Sequence, residues 1–478
     1  MPDTALPAIV PQPRLLRPSG STLTSSDVAT ALAEQLSTSL APEAYRLTVT
    51  AEGATLLAGS EAGLHNGRAT WTQLLDSATT SADGRTTVPG VVVEDEPRYA
   101  WRGLMVDCAR HFTPVDELEK LIDALALHRM NRLHLHLTDD QGWRVEIDGW
   151  PRLTEVGATR PRTLAGHHRS AEASGGEPPW TNEPHSGHYT QEELRALVRY
   201  AAQRGVTLVP EIDLPGHMQA AVAAYPELGN LDQPVQVRET WGISEHVLAP
   251  TETTFRFVRD VLTQVVDIFP SQWIHIGGDE CPTVEWRSSP VAQEFMAAHG
   301  LSTERQIQRE FLKVAHEVLS AAGRTLVGWD EILEAEPPAD AMTMLWRRGK
   351  DVTDAQQHGL RCVYACSDTL YLDHYQADPA NEPLALGGRS TLEDVYRTEE
   401  LPTGATGEQR DLLLGVQGQL WREYVPTSER LEYMLFPRLC AVSEVAWGHR
   451  TSWEDFRHRL QQHLPRLTAR GIGYRPLD

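Results

Sequence analysis

Cysteine is scarce. Five cysteines (Cys108, Cys281, Cys362, Cys366 and Cys440) among 478 residues are too few, and odd in number, for a disulfide framework. Cys362 and Cys366 stand four apart with no His or Cys companion nearby, which argues against a zinc site. No apolar run approaches the length of a membrane span. Met1–Pro13 has neither the basic start nor the apolar stretch of a leader, so the expected location is cytoplasmic, or secreted if a leader is missing from this sequence. Positive charge is in deficit, with 43 Lys and Arg against 66 Asp and Glu and a net charge of −23. That field repels polyanions, and basic clusters such as Arg347-Arg348 with Lys350 are short. Neither nucleic acid nor a membrane is an expected partner, and the oligomeric state is open. No internal repeat stands out.

An ordinary composition (41% apolar, 23% charged) supplies ample core. Residues 1–97 read as a small α+β domain, with helical stretches Ser26–Leu40 and Ser60–Leu75, strand-like Tyr45–Thr50 and Val91–Val93, and a boundary at Glu94–Pro97. Residues 98–478 alternate strand and helix. The strands are Gly103–Asp107, Arg132–Leu137, Val206–Ile212, Trp273–Ile276, Thr325–Gly328, Met342–Leu345, Arg361–Ala365 and Leu412–Gln417, short and apolar as buried parallel strands are. Helices are predicted at Pro114–His128, Gln191–Arg204, Thr253–Phe269, Thr303–Ala322 and Ser428–Val445, the first capped by Thr113 with Pro114 at its first position. Eight such units make an α/β fold, a (β/α)8 barrel; a doubly wound sheet fits less well without a Gly-rich phosphate turn. Arg160–His188, rich in Gly, Pro, Ser and His, is either a disordered surface loop or a loop rimming the site.

Barrel chemistry sits at the C-terminal ends of strands. There the chain places Asp107, Arg110 and His111; Asp139 and Asp140; Glu211, Asp213 and His217; Asp279 and Glu280; Asp330 and Glu331; Asp373; and Glu423. So many carboxylates at one rim must be protonated, paired with Arg110 or bonded to His217. Neighbours in a strand point to opposite faces, so Asp279 and Glu280 can serve one pocket only where the pleat breaks, and Gly277-Gly278 supplies the break. Trp329, Trp346 and Trp421 fall at or past strand ends, where aromatic walls suit the apolar faces of sugar rings, although each is also a plausible core residue. His134 and His136 alternate on the second strand, as metal ligands or, better, as hydrogen-bonded core histidines.

Together these segments resemble glycoside hydrolase family 20, the β-N-acetylhexosaminidases. The matching stretches are Trp101-Arg-Gly-Leu-Met-Val-Asp-Cys-Ala-Arg-His-Phe112, Asn131-Arg-Leu-His-Leu-His-Leu-Thr-Asp-Asp-Gln-Gly-Trp143, Pro210-Glu-Ile-Asp-Leu-Pro-Gly-His217 and His275-Ile-Gly-Gly-Asp-Glu280, with Gly328-Trp-Asp-Glu331, Tyr371-Leu-Asp373 and Leu420-Trp-Arg-Glu423. The resemblance implies a retaining exo-enzyme acting on terminal β-linked N-acetylglucosamine or N-acetylgalactosamine of a small oligosaccharide or glycoconjugate. It implies substrate-assisted catalysis through an oxazolinium ion, an exception to the two-carboxylate scheme, with no metal or other cofactor. Glu280 is then the acid and base, Asp279 orients the acetamido N–H, and Tyr371 bonds the acetamido oxygen. Arg110 and Glu423 hold ring hydroxyls, Asp373 meets the 6-hydroxyl, and the three tryptophans wall the pocket. Asp139, His217, Asp213 and His275 stand beside or behind the reacting groups. Two departures are a shortened start of the first domain and no tryptophan between Trp346 and Trp421, where Val395–Tyr396 is expected to take a pocket position. Cys281 reads as a packing residue beside Glu280. The alternatives are a metal-dependent barrel hydrolase using His134, His136 and His217, and a sugar-binding protein without turnover.

Overall fold

The computed structural model describes residues 6–167, 179–231 and 233–477. Near the N-terminus, Leu15–Ser25, Thr86–Asp95, Tyr45–Thr50, Gly53–Ala58 and Leu32–Leu36 lie side by side in that order in one sheet. Tyr45–Thr50 alternates buried and less buried residues, as a half-buried strand does. The helix Glu61–Leu75 is capped by Ser60, whose side chain accepts from the Ala62 N–H, and it buries Leu64, Trp71 and Leu74 in a core shared with Leu47, Leu56 and Val93. The expected helix Ser26–Leu40 is not formed. It is a single 3-10 turn, Val28–Thr30, followed by an edge strand, Leu32–Leu36, pairing in parallel with Gly53–Ala58. Leu32–Leu36 has no fully buried residue, so a helix there would have no apolar stripe to bury, whereas a strand satisfies its backbone on the sheet.

The remainder is a closed barrel of eight parallel strands: Trp101–Asp107, Arg132–His136, Thr207–Glu211, Trp273–His275, Thr325–Trp329, Met342–Leu345, Arg361–Tyr364 and Leu413–Leu420. Each expected strand is present, with its ends unmoved or shifted by at most three residues. Helices flank them, including Val115–Leu127, Gln191–Ala202, Glu252–Ile268 and Arg305–Ala321. Two helix readings need correction. Pro114 itself occupies the cap, so the first helix starts at Val115. The stretch Ser428–Val445 is two helices, Ser428–Leu435 and Arg438–Trp447, because Pro437 has no N–H to continue the ladder. Met105, Val209, Val327, Met342, Met344 and Val363 fill the inside of the barrel, so it is a packed core whose working surface is its rim. No described helix is long and apolar enough to cross a membrane.

The sheet and the barrel are joined through Asp95. Its carboxylate accepts from Tyr45 Oη (2.9 Å), Arg129 Nη1 (2.6 Å) and Trp447 Nε1 (2.9 Å), and both it and Arg129 are buried. Replacing one partner leaves the other charge buried without compensation. Asp95→Asn is therefore expected to cost about 3–5 kcal/mol of stability, read from the urea midpoint. A loss below about 1 kcal/mol, the scale of an exposed pair, would show that the contact is incidental.

Candidate active site

The rim brings together Arg110, Asp139, His217, Asp279, Glu280, Trp329, Trp346, Tyr371 and Trp421, whereas His275 lies within the fourth strand, fully buried beneath them. After the fourth strand, Gly277 (φ +64°) and Gly278 (φ +93°) take left-handed conformations and turn the chain. The turn is held at three points: Gly277 N–H donates to His275 Nδ1 (3.0 Å), Gly278 N–H to Asp213 Oδ1 (3.0 Å), and Gln308 Nε2 to the Gly278 carbonyl (2.7 Å). A Cβ on Gly277 would lie 1.7 Å from Asp213 Oδ1, so only glycine fits. Beyond the turn, Asp279 is buried, whereas Glu280, itself left-handed at φ +43°, keeps 36% of its side chain exposed. His217 (φ +51°) sits between them, with Nε2 3.8 Å from Asp279 Oδ2 and 3.7 Å from Glu280 Oε2. Strain of this kind concentrates where function constrains the backbone.

Behind this pair the charges alternate. His217 Nδ1 lies 3.2 Å from Asp139 Oδ1 and 3.4 Å from Asp140 Oδ2. Asp139 Oδ2 accepts from Arg110 Nη2 (2.8 Å) and His136 Nε2 (2.9 Å). Burial opposes ionisation of Asp139, but Arg110 and His217 outweigh it and hold the carboxyl below its usual range. Burial likewise opposes protonation of His136, and Glu211 with Asp139 outweighs it, raising the imidazole to about 10. His217 is also pushed well up, with Asp139 and Asp140 overcoming burial. Asp279 and Asp213 are both pushed well above the carboxylate range, first by burial and then by neighbouring acids, Asp213 acting on Asp279 and Glu211 with Asp139 acting on Asp213.

Glu211 reads in the sequence as a rim acid; in the structure it is fully buried beneath the rim. Its Oε2 accepts from His136 Nδ1 (2.7 Å) and its Oε1 from Trp329 Nε1 (2.8 Å), while His134 Nε2 stands 3.0 Å from Oε2. Only the proximity of three strands reveals this role; the position of Glu211 at a strand end was its one sequence signal. His134 and His136 are core histidines: Gln417 Nε2 donates to His134 Nδ1 (3.0 Å).

The aromatic wall is continuous. Trp329 lies 5.9 Å from Trp421, Tyr371 lies 6.4 Å from Trp421, and Trp346 stacks 6.1 Å from Tyr371 at 20°. Trp346 Nε1 donates to Glu331 Oε2 (2.9 Å), and Arg110 packs over Trp421 at 4.9 Å. Burial pushes Tyr371 well up, and it raises Asp373, whose two buried carboxylate oxygens have no partner, with Glu423 adding to the effect. Glu423, half-buried, is raised by burial against the pull of Arg110. Val395–Tyr396 is not in this pocket. The pair belongs to the outer helix Leu392–Tyr396, where Tyr396 stacks on Phe456 at 4.4 Å, because both residues bury apolar surface between helices. Cys281 is half-buried and burial raises its thiol, in keeping with a packing residue beside Glu280. The described ends of Arg160–His188 form two short ladders, Thr159–Arg160 with His185–Ser186 and Thr163–Leu164 with Trp180–Thr181, which bring His185 within 5.0 Å of His111; residues 168–178 lie outside the described residues.

Residues 99–450 match Glycosyl hydrolase family 20, catalytic domain, and residues 14–96 match domain 2 of the same family. The chain belongs to glycosyl hydrolase family 20. This is the family of the β-hexosaminidases. The family-20 chain is 40% identical over 91% of its length to a β-hexosaminidase of Porphyromonas gingivalis, of which it spans 55%. It is 36% identical over 90% of its length to one of Akkermansia muciniphila, of which it spans 85%. Among solved structures it resembles a β-N-acetylhexosaminidase (TM-score 0.86, 33% identity, covering 98% of this chain and 96% of that one). It also resembles a mutant Streptomyces plicatus β-hexosaminidase in complex with product GlcNAc (TM-score 0.81, 29% identity, covering 99% and 97%).

Two outcomes test the site's construction. Gly277→Ala is expected to lower turnover by about 100-fold or more while the fold persists by circular dichroism, because it displaces the turn carrying both acids. Unchanged turnover would show that the turn tolerates displacement. Burial, then Asp330, raises Glu331 from 4.5 to about 7. The folded state therefore holds this proton more tightly than the unfolded chain, and the stability it contributes is full below pH 4.5 and lost as pH rises through about 7. The stability difference between wild type and Glu331→Gln should fall across that window in urea titrations; a flat difference would mean an unshifted carboxyl.

Proposed function

We propose that this family-20 chain is a retaining exo-β-N-acetylhexosaminidase that removes terminal β-linked N-acetylglucosamine or N-acetylgalactosamine from small oligosaccharides or glycoconjugates. The observation that carries the proposal is one buried and one accessible carboxylate, Asp279 and Glu280, on a Gly-Gly turn that faces a wall of Trp329, Tyr371, Trp346 and Trp421.

In this reading the protein supplies no nucleophile. The substrate's acetamido oxygen attacks C1 as Glu280 gives its proton to the leaving oxygen, which departs as the alcohol. Glu280 then takes a proton from water as that water attacks C1 and reopens the oxazolinium ring. Asp279 accepts the acetamido N–H and faces the positive charge, which requires it to be ionised although burial opposes this. Asp213 answers that requirement. Its Oδ1 is occupied by Gly278 N–H, while its Oδ2 and Asp279 Oδ1 are both buried without partners. A proton carried on Asp213 leaves Asp279 as the anion.

Tyr371 bonds the acetamido oxygen, Arg110 and Glu423 hold the 3- and 4-hydroxyls, and Asp373 receives the 6-hydroxyl. Asp139, His217 and His275 hold these groups in place. A division into a domain of 1–97 and a catalytic barrel of 98–478 belongs to the same proposal. The metal-dependent alternative is less well supported, since the histidines below the rim bond Glu211, Asp139 and Gln417. The proposal gains nothing from cofactors, and activity is expected to survive chelator.

The test is release of 4-nitrophenol from its β-N-acetylglucosaminide and its galacto epimer. Asp279→Asn is expected to lose about 10³-fold or more in kcat, with Glu280→Gln losing less on this activated leaving group and recovering in part with azide. Full activity in Asp279→Asn would sink the assignment. Binding of N-acetylglucosamine without turnover by wild type would favour the sugar-binding reading instead.

A further inference from the structure

The opposite, N-terminal mouth of the barrel holds a cleft of about 480 Å³ between the helix Glu61–Leu75 and the starts of the second and third strands. Arg132, the first residue of the second strand, lines it. A guanidinium has five N–H donors. Those of Arg132 are poorly used. Nη1 donates to the Asn131 carbonyl (2.8 Å) and, at the limit of 3.5 Å, to Thr207 Oγ1, while Nε is buried with no partner. Its flat face lies over Trp273 at 4.7 Å and Trp101 at 5.6 Å. Among the described residues no carboxylate pairs with it.

Two other buried arginines of this chain use their donors more fully. Arg144 donates to the carbonyls of Cys108, Ala109, Ala158 and Gly187 through all three nitrogens. Arg102, which lines the same cleft, donates to the carbonyls of Arg129 and Tyr99 and pairs with Glu43 at 2.6 Å. Glu43 thus pairs with Arg102 and reaches Arg132 only through longer-range attraction. Burial, with Arg102 adding repulsion and Glu43 offsetting it only in part, lowers Arg132 to about 10. A largely desolvated cation with unused donors and no direct ion pair, beside an open cleft, is costly unless something occupies that cleft.

We propose that the cleft binds a small organic anion whose phosphate or carboxylate group is held by Arg132 with Arg102 beside it. The planar fork of Arg132 suits two parallel bonds to such a group, and the indole rings beneath fix its plane. His65, Asn66 and Thr207 line the cleft and offer polar atoms to the rest of the ligand. The volume falls in the range of small-molecule sites, and Glu43 and Glu61 at the same cleft reject a polyanion. Because the cleft is built from both the N-terminal helix and the barrel, the ligand would tie the two together and raise the unfolding temperature by mass action.

The experiment titrates the whole protein by calorimetry, at constant ionic strength, with inorganic phosphate, a hexose phosphate and malonate. The three arms separate free phosphate, phosphate on a larger body, and carboxylate. Wild type is expected to bind at least one of them at one site with Kd below about 1 mM, accompanied by a rise in Tm. Arg132→Gln should weaken that binding at least about tenfold, and Arg132→Lys, which keeps the charge without the fork, should weaken it less. Hydrolysis of the chromogenic substrate should be the same in both variants. Absence of saturable binding by wild type to all three anions up to about 10 mM overturns the proposal, as does an unchanged Kd in both variants.

Discussion

The site depends on how one buried negative charge, Asp139, is neutralised. Two oxygens serve three cationic neighbours, Arg110, His136 and His217. Each neighbour in turn leads elsewhere: Arg110 to the Trp421 face and Asp107, His217 to Asp279 and Glu280, and His136 to Glu211 and thence to Trp329. Removing a charge from water costs several kcal/mol per ion, and the cost is met only where geometry supplies full partnership. Positive and negative groups therefore alternate along this path. The consequence is that Arg110, the Trp421 face, Asp279 and Glu280 are fixed relative to one another through a single buried carboxylate. Such preorganisation is what allows fixed dipoles and charges to act without reorganising during the reaction.

The barrel supplies directions, and loops after its strands supply departures from them. Asp279 and Glu280 would point apart on a continued strand. Two left-handed glycines followed by a left-handed Glu280 bring them to one pocket while giving them different surroundings, one buried against Asp213 and one open to solvent. Different environments are how two carboxyls in sequence acquire different tasks.

Strand ends, and the polar residues that follow them, were legible in the sequence because buried parallel strands are short apolar runs and barrel sites collect at one end of them. The Gly277-Gly278 break was legible for the same reason: it contradicts the strand that precedes it. What the sequence hid were properties created by contact across the barrel. Glu211 is one residue among many rim acids until the second and fifth strands bring His136 and Trp329 to it. Val395–Tyr396 has the composition of a pocket wall, but Phe456, sixty residues later, claims the Tyr396 ring. Ser26–Leu40 has helix-forming residues, and the edge of a sheet decides against them. In each case a partner remote in sequence outweighed a local preference.

The distribution of charge between the two mouths of the barrel follows from the same architecture. Helices return antiparallel to the strands, so their N-termini lie at the catalytic rim and their C-termini at the opposite mouth. Asp116 and Glu117 occupy the first turn of Val115–Leu127, and Glu192 and Glu193 that of Gln191–Ala202; Arg129 and Arg204 follow the ends of those helices. Aligned peptide dipoles favour anions at the first set of positions and cations at the second. A rim crowded with carboxylates and a base lined by Arg102, Arg129, Arg132 and Arg204 are thus two expressions of one field. That field makes an acidic rim tolerable. It also favours a guanidinium at the base, where Arg132 stands beside an open cleft in a chain whose net charge is −23.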